Sequence, residues 1–588
     1  MSANTIFERE GSAEQGRWRQ RARWLVLVFL FVFGCRCALI RDYGSPLPFW
    51  DEWDAEGGSL FPEYEAGQLK VSELFRAHNE HRLFFTRVQS LALFAATGSW
   101  EPRVTMIVNA GWMAFAATVL AGIVLGRVPG QGGMAVTLLL AGLFAAPHSW
   151  QNLLWGFQSQ NAFQLLAGVV VLALATHAER SPLRLLTMGV LGVLGLFTTA
   201  AGVLAPLTAI VLLTTLACVS RLRRSRDWMS VVVSAVVLLI GWWLAVDVPG
   251  HHVLRAKSIG TFFAVFAHSL AWPGLELVFL VPLLWAPLGL LVFALMRGRS
   301  ARSSASDFAL ALGLWTVLHA ASIAWARGAG MQAQLPLSRY LDGLMPGMIG
   351  NAIALVLLRR DWATGSRGTL GLAIWLLALA LGLGHQTFLD FRVQLPFHAL
   401  SSRTQLSLVA AYVRSGNAAV LAGRNVLEMG HHDPLSIRRV LDDPKNASWL
   451  PTAVRKPLEL SHTTPHMVTI PNAGFWEIEF PDEQNAGAHP MLEIDAGVVG
   501  SEKHVAPADF SWGRRAWIHL STGEHSLGLL SGPDDATDSL ALRPVGAVRV
   551  RAEQLLAFAG WLGLLAGLGL VVMFVRSRTA ARGDRQIW

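Results

Sequence analysis

The stretch LPFWDEWDAEGGSLF, residues 47–61, sets three carboxylates, Asp51, Glu52 and Asp54, among two tryptophans, Trp50 and Trp53. Residues three apart share a face of a helical turn, so Asp51 and Asp54 are expected side by side, as proton acceptors or as ligands of a divalent ion. The tryptophans, with an apolar body and a polar tip, are expected to hold this turn at a membrane interface. Shortly afterwards FRAHNEHRLFFTRVQSLALF (75–94) carries His78, Glu80, His81 and Arg82. Its pattern predicts an amphipathic helix lying in the interface, with His78 and His81 on one face. Two imidazoles and a guanidinium suit a phosphate. With the acids they also suit a metal, for which Asp51, Asp54 and His78 are the candidate ligands.

Three further polar segments fall between apolar runs. HSWQNLLWGFQSQN (148–161) combines amides with indoles, and Asn152, Trp155 and Gln158 are candidates for holding a sugar. Hydroxyls need fixed donors and acceptors, and a pyranose face packs on an aromatic ring. GHHVLRAKS (250–258) offers His251 and His252, and ARGAGMQAQLPLSRYLDGLMPG (326–347) places Arg339 and Tyr340 just before an apolar run. Trp50, Trp53 and Glu80 join the candidates for sugar or acceptor contacts.

The elements that must position these residues follow from composition. Of 588 residues 53% are hydrophobic and only 15% charged, against about 25% charged in soluble domains. Mean hydropathy is +0.42. Apolar runs near 24–40, 104–126, 134–149, 160–176, 184–199, 202–219, 229–246, 276–296, 308–325, 343–358, 369–385 and 554–575 predict an α-helical polytopic membrane protein of about twelve spans. The first run, with no small-residue cleavage site, reads as a retained helix. Basic residues gather in every second connection, as RWRQRARW, Arg127, HAERSPLR, SRLRRSRDW, MRGRSARS, RRDWATGSR and the tail RSRTAARGDR. By the positive-inside rule this places both termini in the cytoplasm and 41–103 and 386–550 on the outer face. The net charge of +8 thus reports membrane orientation, not a nucleic-acid partner. Three cysteines are too few for a disulfide framework.

Residues 386–550 open with a helical stretch, SRTQLSLVAAYVRS, and then alternate in HMVTI, FWEIEF, MLEIDAGVV and RAWIHL between turn residues. The pattern predicts a β-rich outer domain of sandwich type. The expected organisation is a membrane domain at 1–385, the outer domain at 386–550, and a last span with a basic tail at 551–588.

A first span, an acidic outer loop, and a His-led turn before the second span together resemble the GT-C superfamily of membrane glycosyltransferases, in arrangement the protein mannosyltransferases and aminoarabinose transferases. HNEHR stands where relatives carry His-Pro-Pro or Lys-Pro-Pro, here without the prolines. The resemblance covers roughly residues 24–385. It implies a catalytic carboxylate among Asp51, Glu52 and Asp54, and a donor phosphate met by Arg339 and Tyr340 with Arg82, His78 or His81. The implied partners are a polyprenyl-phosphate-linked sugar, a hydroxyl acceptor in the cell envelope, and membrane lipids. The implied location is a bacterial inner membrane with a periplasmic active site. One carboxylate opposite a phosphate leaving group predicts inverting single displacement. A divalent metal is left open.

Two other readings share some of these features. A transporter would place ionisable residues inside its spans and show two similar halves, whereas here the spans are nearly free of charge, with Arg36 the exception, and only the first half carries the long acidic loop. A polymer transferase of the O-antigen-ligase type would use outer Arg and His residues but has less need of an early acidic loop.

Overall fold

The computed structural model describes residues 3–583 except 180, 362–365, 461–465, 471, 481–490, 496–502, 507, 511–512 and 531–539. All twelve expected runs are helices. Ten of the described stretches are long and apolar enough to cross a membrane. The other two expected spans are shorter, Pro182–Gly195 with 14 residues and Asp227–Trp243 with 17. At a rise of about 1.5 Å per residue the former covers about 21 Å, less than the ~30 Å hydrocarbon core. A further short apolar helix, Ile259–Leu270, follows the 250–258 loop.

Small residues let the first and last long helices touch at the backbone. A Cβ on Gly34 would lie 2.4 Å from the Gly563 nitrogen, the kind of approach by which membrane helices associate. Arg103 is buried beside them. It donates to Glu553 at 2.6 and 2.8 Å and to the carbonyls of Ile40 and Gly44 at 2.9 and 2.6 Å. Four basic connections gather at one end of the bundle. Arg127 donates to Thr176 and to the Ser304 carbonyl, while Arg224 and Arg302 pair with Asp307 and Arg302 also with Asp227. The last helix reaches the same end, where Gln131 donates to the Ser577 carbonyl.

The first outer loop is a set of short helices packed as a core. Trp53, Phe61, Phe94 and Trp100 are buried together with Tyr412, Val440 and Trp449 from the distant outer segment, with Phe61 stacked on Phe94 at 4.2 Å. The interfacial helix expected at 75–94 begins only at Phe84 and ends at Thr97. Residues 78–81 instead close a tight turn, in which the His78 and His81 N–H groups donate to each other's carbonyls at 2.8 and 3.0 Å. Asn79 adopts φ 51° there, a conformation asparagine tolerates better than most residues.

The helix that opens the outer region runs unbroken from 366 to 415, through the expected border at 385. It consists of Ser366–Leu389, a wide turn at Asp390–Gln394 and Leu395–Ser415. Beyond it lie nine strands, β1 Leu458–Leu460, β2 His466–Ile470, β3 Gly474–Phe480, β4 Met491–Ile494, β5 Lys503–Val505, β6 Ala508–Phe510, β7 Gly513–Leu520, β8 Gly523–Leu530 and β9 Leu540–Val545. They form two antiparallel sheets, β1-β9-β3-β7-β6 and β2-β8-β4-β5. In the first, Ile478 lies opposite Ala516 and Leu542. Ile470, Leu492 and Leu527 from the second sheet share one buried cluster with Ile478, Ile518 and Leu542 from the first. This is the expected sandwich.

Candidate functional site

The acidic turn sends its three carboxylates to three environments. Trp50 starts it at φ 53°, its N–H bonded to the Gly430 carbonyl at 2.6 Å. Asp51 stays a third exposed and faces His78, Oδ1 to Nε2 3.5 Å. Glu52 points inward and is fully buried, accepting the Phe49 N–H at 2.7 Å. Burial, with the charge of Glu56 nearby, pushes its carboxyl well above the usual range. Asp54 turns outward to His431, Oδ2 to Nε2 2.8 Å. That hydrogen bond holds the Asp54 carboxyl below its ordinary value against the pull of partial burial. Asp51 and Asp54 therefore do not act as a pair.

His81 stands at the centre of a second group. Burial lowers its imidazole to about 4, and the charges of Glu80, Arg327, His78 and Asp51 all act on it. Its Nδ1 accepts the Ala200 N–H at 3.0 Å, so near neutrality the ring is uncharged and its other nitrogen carries the proton. Glu80 accepts from Arg327 at 2.9 and 3.0 Å and lies 2.6 Å from His251 Nδ1. Burial opposes ionisation of Glu80, but the His251 hydrogen bond and the Arg327 charge outweigh it and hold the carboxyl at about 2. The Arg339 guanidinium lies over the Tyr340 ring, 5.3 Å from its centroid, and makes no ion pair among the described residues.

The 147–161 connection joins these groups. Gly156 abuts Glu52 so closely that a Cβ would lie 2.4 Å from Oε1, and Phe157 meets the His78 ring edge-on at 5.4 Å. At the other end Gln151 accepts the Arg339 N–H at 3.2 Å, while Asn152 donates to the Arg339 carbonyl and to Asp342, both at 2.8 Å. Glycine is required at 156 because the buried carboxyl occupies the space of a side chain.

Several expected contacts take a different form. Trp53 is a core residue, T-shaped on Trp100 at 5.5 Å, not an interface anchor. An indole has enough apolar area to be drawn inside once partners surround it. Trp155 is likewise buried, 4.5 Å from the Phe49 ring. Asn152 is buried and structural, and half-buried Gln158 accepts from Gln160 and Asn161. Arg82 spends its donors on the carbonyls of Leu244 and Phe75 at 3.1 Å each. His252 pairs with exposed Asp247, 2.7 Å away. The set Asp51, Asp54 and His78 does not converge, since Asp54 belongs to His431, and no group of three metal-ligating residues forms among the described residues.

Sequence reasoning missed four participants. Arg327 binds Glu80, His431 binds Asp54, and Phe157 packs on His78. Glu56 is enclosed under the acidic turn, accepting from Ser90 and from Trp100 Nε1 at 3.0 Å. Glu56 carried a local signal as the next acid in the same stretch, and Arg327 stood in the 326–347 stretch with Arg339 without being given a role.

Fold and site together define a multi-pass α-helical membrane protein with a β-sandwich and a charged, partly enclosed candidate site on the loop between its first two long helices. No family model and no curated protein matches the sequence. Among solved structures, the chain is similar to the crystal structure of ArnT from Cupriavidus metallidurans bound to undecaprenyl phosphate. The TM-score is 0.40 and the identity 12%, over 87% of this chain and 98% of that one.

Proposed function

We propose that this chain is a membrane glycosyltransferase that moves a sugar from a polyprenyl-phosphate donor to a hydroxyl acceptor at the outer face. The observation that carries the reading is a convergence. An accessible carboxylate, Asp51, faces His78, whose ring packs on Phe157 of the 147–161 connection, and the same connection holds an arginine with no acidic partner among the described residues, Arg339, through Gln151 and Asn152.

Each part has a task in single displacement. Asp51 takes the acceptor hydroxyl's proton as the acceptor oxygen bonds to the anomeric carbon. The bond from that carbon to the phosphate oxygen breaks, and its electron pair leaves with the phosphate. Arg339 meets the growing charge, worth several kcal/mol when preorganised away from water. Arg327 is already neutralised by Glu80. Glu52, its carboxyl raised by burial, shapes the turn. Among the described residues no metal site is assembled. The bacterial inner membrane, with the site in the periplasm and both termini inside, is the setting the charge pattern favours.

The test is transfer from a panel of radiolabelled polyprenyl-phosphate sugars by purified wild type and Asp51→Asn. Transfer by wild type that falls by at least about a thousandfold in the variant, at equal protein level, supports the reading. Equal turnover by both removes Asp51 from the reaction, and no turnover from any donor removes the transferase.

A further inference from the structure

Beside the Asp51–His78 pair, the first outer loop lines a partly open cavity of about 200 Å³. At about 30 Å³ per water, this is room for about seven waters, the scale of one sugar ring. Its polar walls are Asp54, Glu63, Glu73, Arg76, His78 and Arg87, and Leu60 and Leu69 supply apolar surface. These side chains are fixed in place by the protein. Asp54 is bonded to His431 at 2.8 Å, Arg76 to Glu73 at 3.3 Å, and Arg87 to the carbonyls of Glu73 and Leu74 at 3.0 and 3.4 Å.

We infer that this cavity is the acceptor subsite, and that it takes one sugar ring bearing no anionic group. This rests on the transferase reading and adds the acceptor's class to it. Carboxylate oxygens accept from ring hydroxyls and guanidinium groups donate to them, so mixed walls match a polyhydroxylated ligand. The leucines offer a surface for the ring's C–H face. The walls carry three carboxylates against two guanidinium groups, an excess of negative charge that disfavours a uronate or a phosphate. The donor phosphate therefore belongs with Arg339, and His78 forms the wall between cavity and carboxylate. A ring seated here points one hydroxyl past His78 towards Asp51.

The test uses the full-length chain in nanodiscs and a panel of neutral, amino and uronic methyl glycosides, with binding read by saturation-transfer NMR. Two variants fill the cavity from different walls, Ser59→Trp and Leu69→Trp, each checked by its unfolding temperature. The expected result is binding of a neutral or amino glycoside, none of the uronates, and a loss of about tenfold or more in affinity in the filled variants. Failure of every glycoside to bind overturns the inference. So does uronate binding as tight as neutral, or unchanged binding in a folded variant of either kind. Should one variant not fold, the other decides. The two readings fail separately. Donor turnover with an acceptor KM unchanged by filling overturns the subsite and leaves the transferase, whereas glycoside binding without turnover of any donor leaves a sugar site and removes the transferase.

Discussion

His431 Nε2 lies 2.8 Å from Asp54 Oδ2, across 377 residues of sequence. The contact pins the acidic turn to the outer region from one side of Asp51, and the Trp50 N–H to Gly430 bond pins it from the other. Asp51 is thus held between two anchors supplied by the segment after the 366–415 helix.

This anchoring predicts that His431→Ala lowers kcat by about tenfold to a hundredfold through a misplaced carboxylate, with donor KM little changed. The pair is also pH-dependent. Asp54's lowered carboxyl stabilises the contact above the ordinary Asp value near 4 and loses that contribution as pH falls. Burial opposes the charged form of His431, but the Asp54 bond and Asp433 raise its imidazole, so its contribution is full below about 6.5 and is lost as pH rises through the raised value. Protection of the amides across 50–60, taken relative to their intrinsic exchange rate at each pH, is therefore greatest between about pH 4 and 6.5 and lower at pH 8.5, a contrast absent in His431→Ala.

Glu56 titrates in the opposite sense. Burial raises its carboxyl to about 7, although Ser90 and Trp100 donate to it. The folded chain keeps a proton that the unfolded chain releases near 4.5, so Glu56 erodes stability as pH rises from about 4.5 to 7. Glu56→Gln removes the titration and keeps both hydrogen bonds within reach. Its unfolding temperature, measured relative to wild type, is expected to climb across that interval.

Arg339 supports no ion pair among the described residues, so Arg339→Ala is expected to leave the unfolding temperature within about 2 °C. Loss of a charge-assisted contact to phosphate costs about 1.5–3 kcal/mol, so donor KM should rise by about tenfold to a hundredfold. Arg339→Lys, which keeps charge without the planar fork, should fall between the two. An unchanged KM in both variants would remove Arg339 from the donor site.

The touching backbones at Gly34 and Gly563 leave no room for a side chain. Gly34→Leu is expected to destabilise by about 1–3 kcal/mol through overpacking, read as a lower unfolding temperature. Gly126→Ala, with nothing within 4 Å of its added Cβ, serves as the near-neutral control.

The sequence by itself determined the helices, the alternating strands of the sandwich and the residue types of the site. Those signals are local: a run of apolar residues or a period of two declares its element wherever the chain later goes. Asp51, Arg339 and the His-rich turn were legible because charge beside a membrane span is costly and conspicuous. Only the tertiary structure decided that Asp54 belongs to His431, that Glu80 neutralises Arg327 247 residues away, and that Trp53 and Trp155 are packing residues. These outcomes depend on which surfaces meet when distant segments dock. An indole suits a core as well as an interface, and a carboxylate suits any cation within reach. Composition cannot distinguish those partners, because the energies that choose between them arise only at contact.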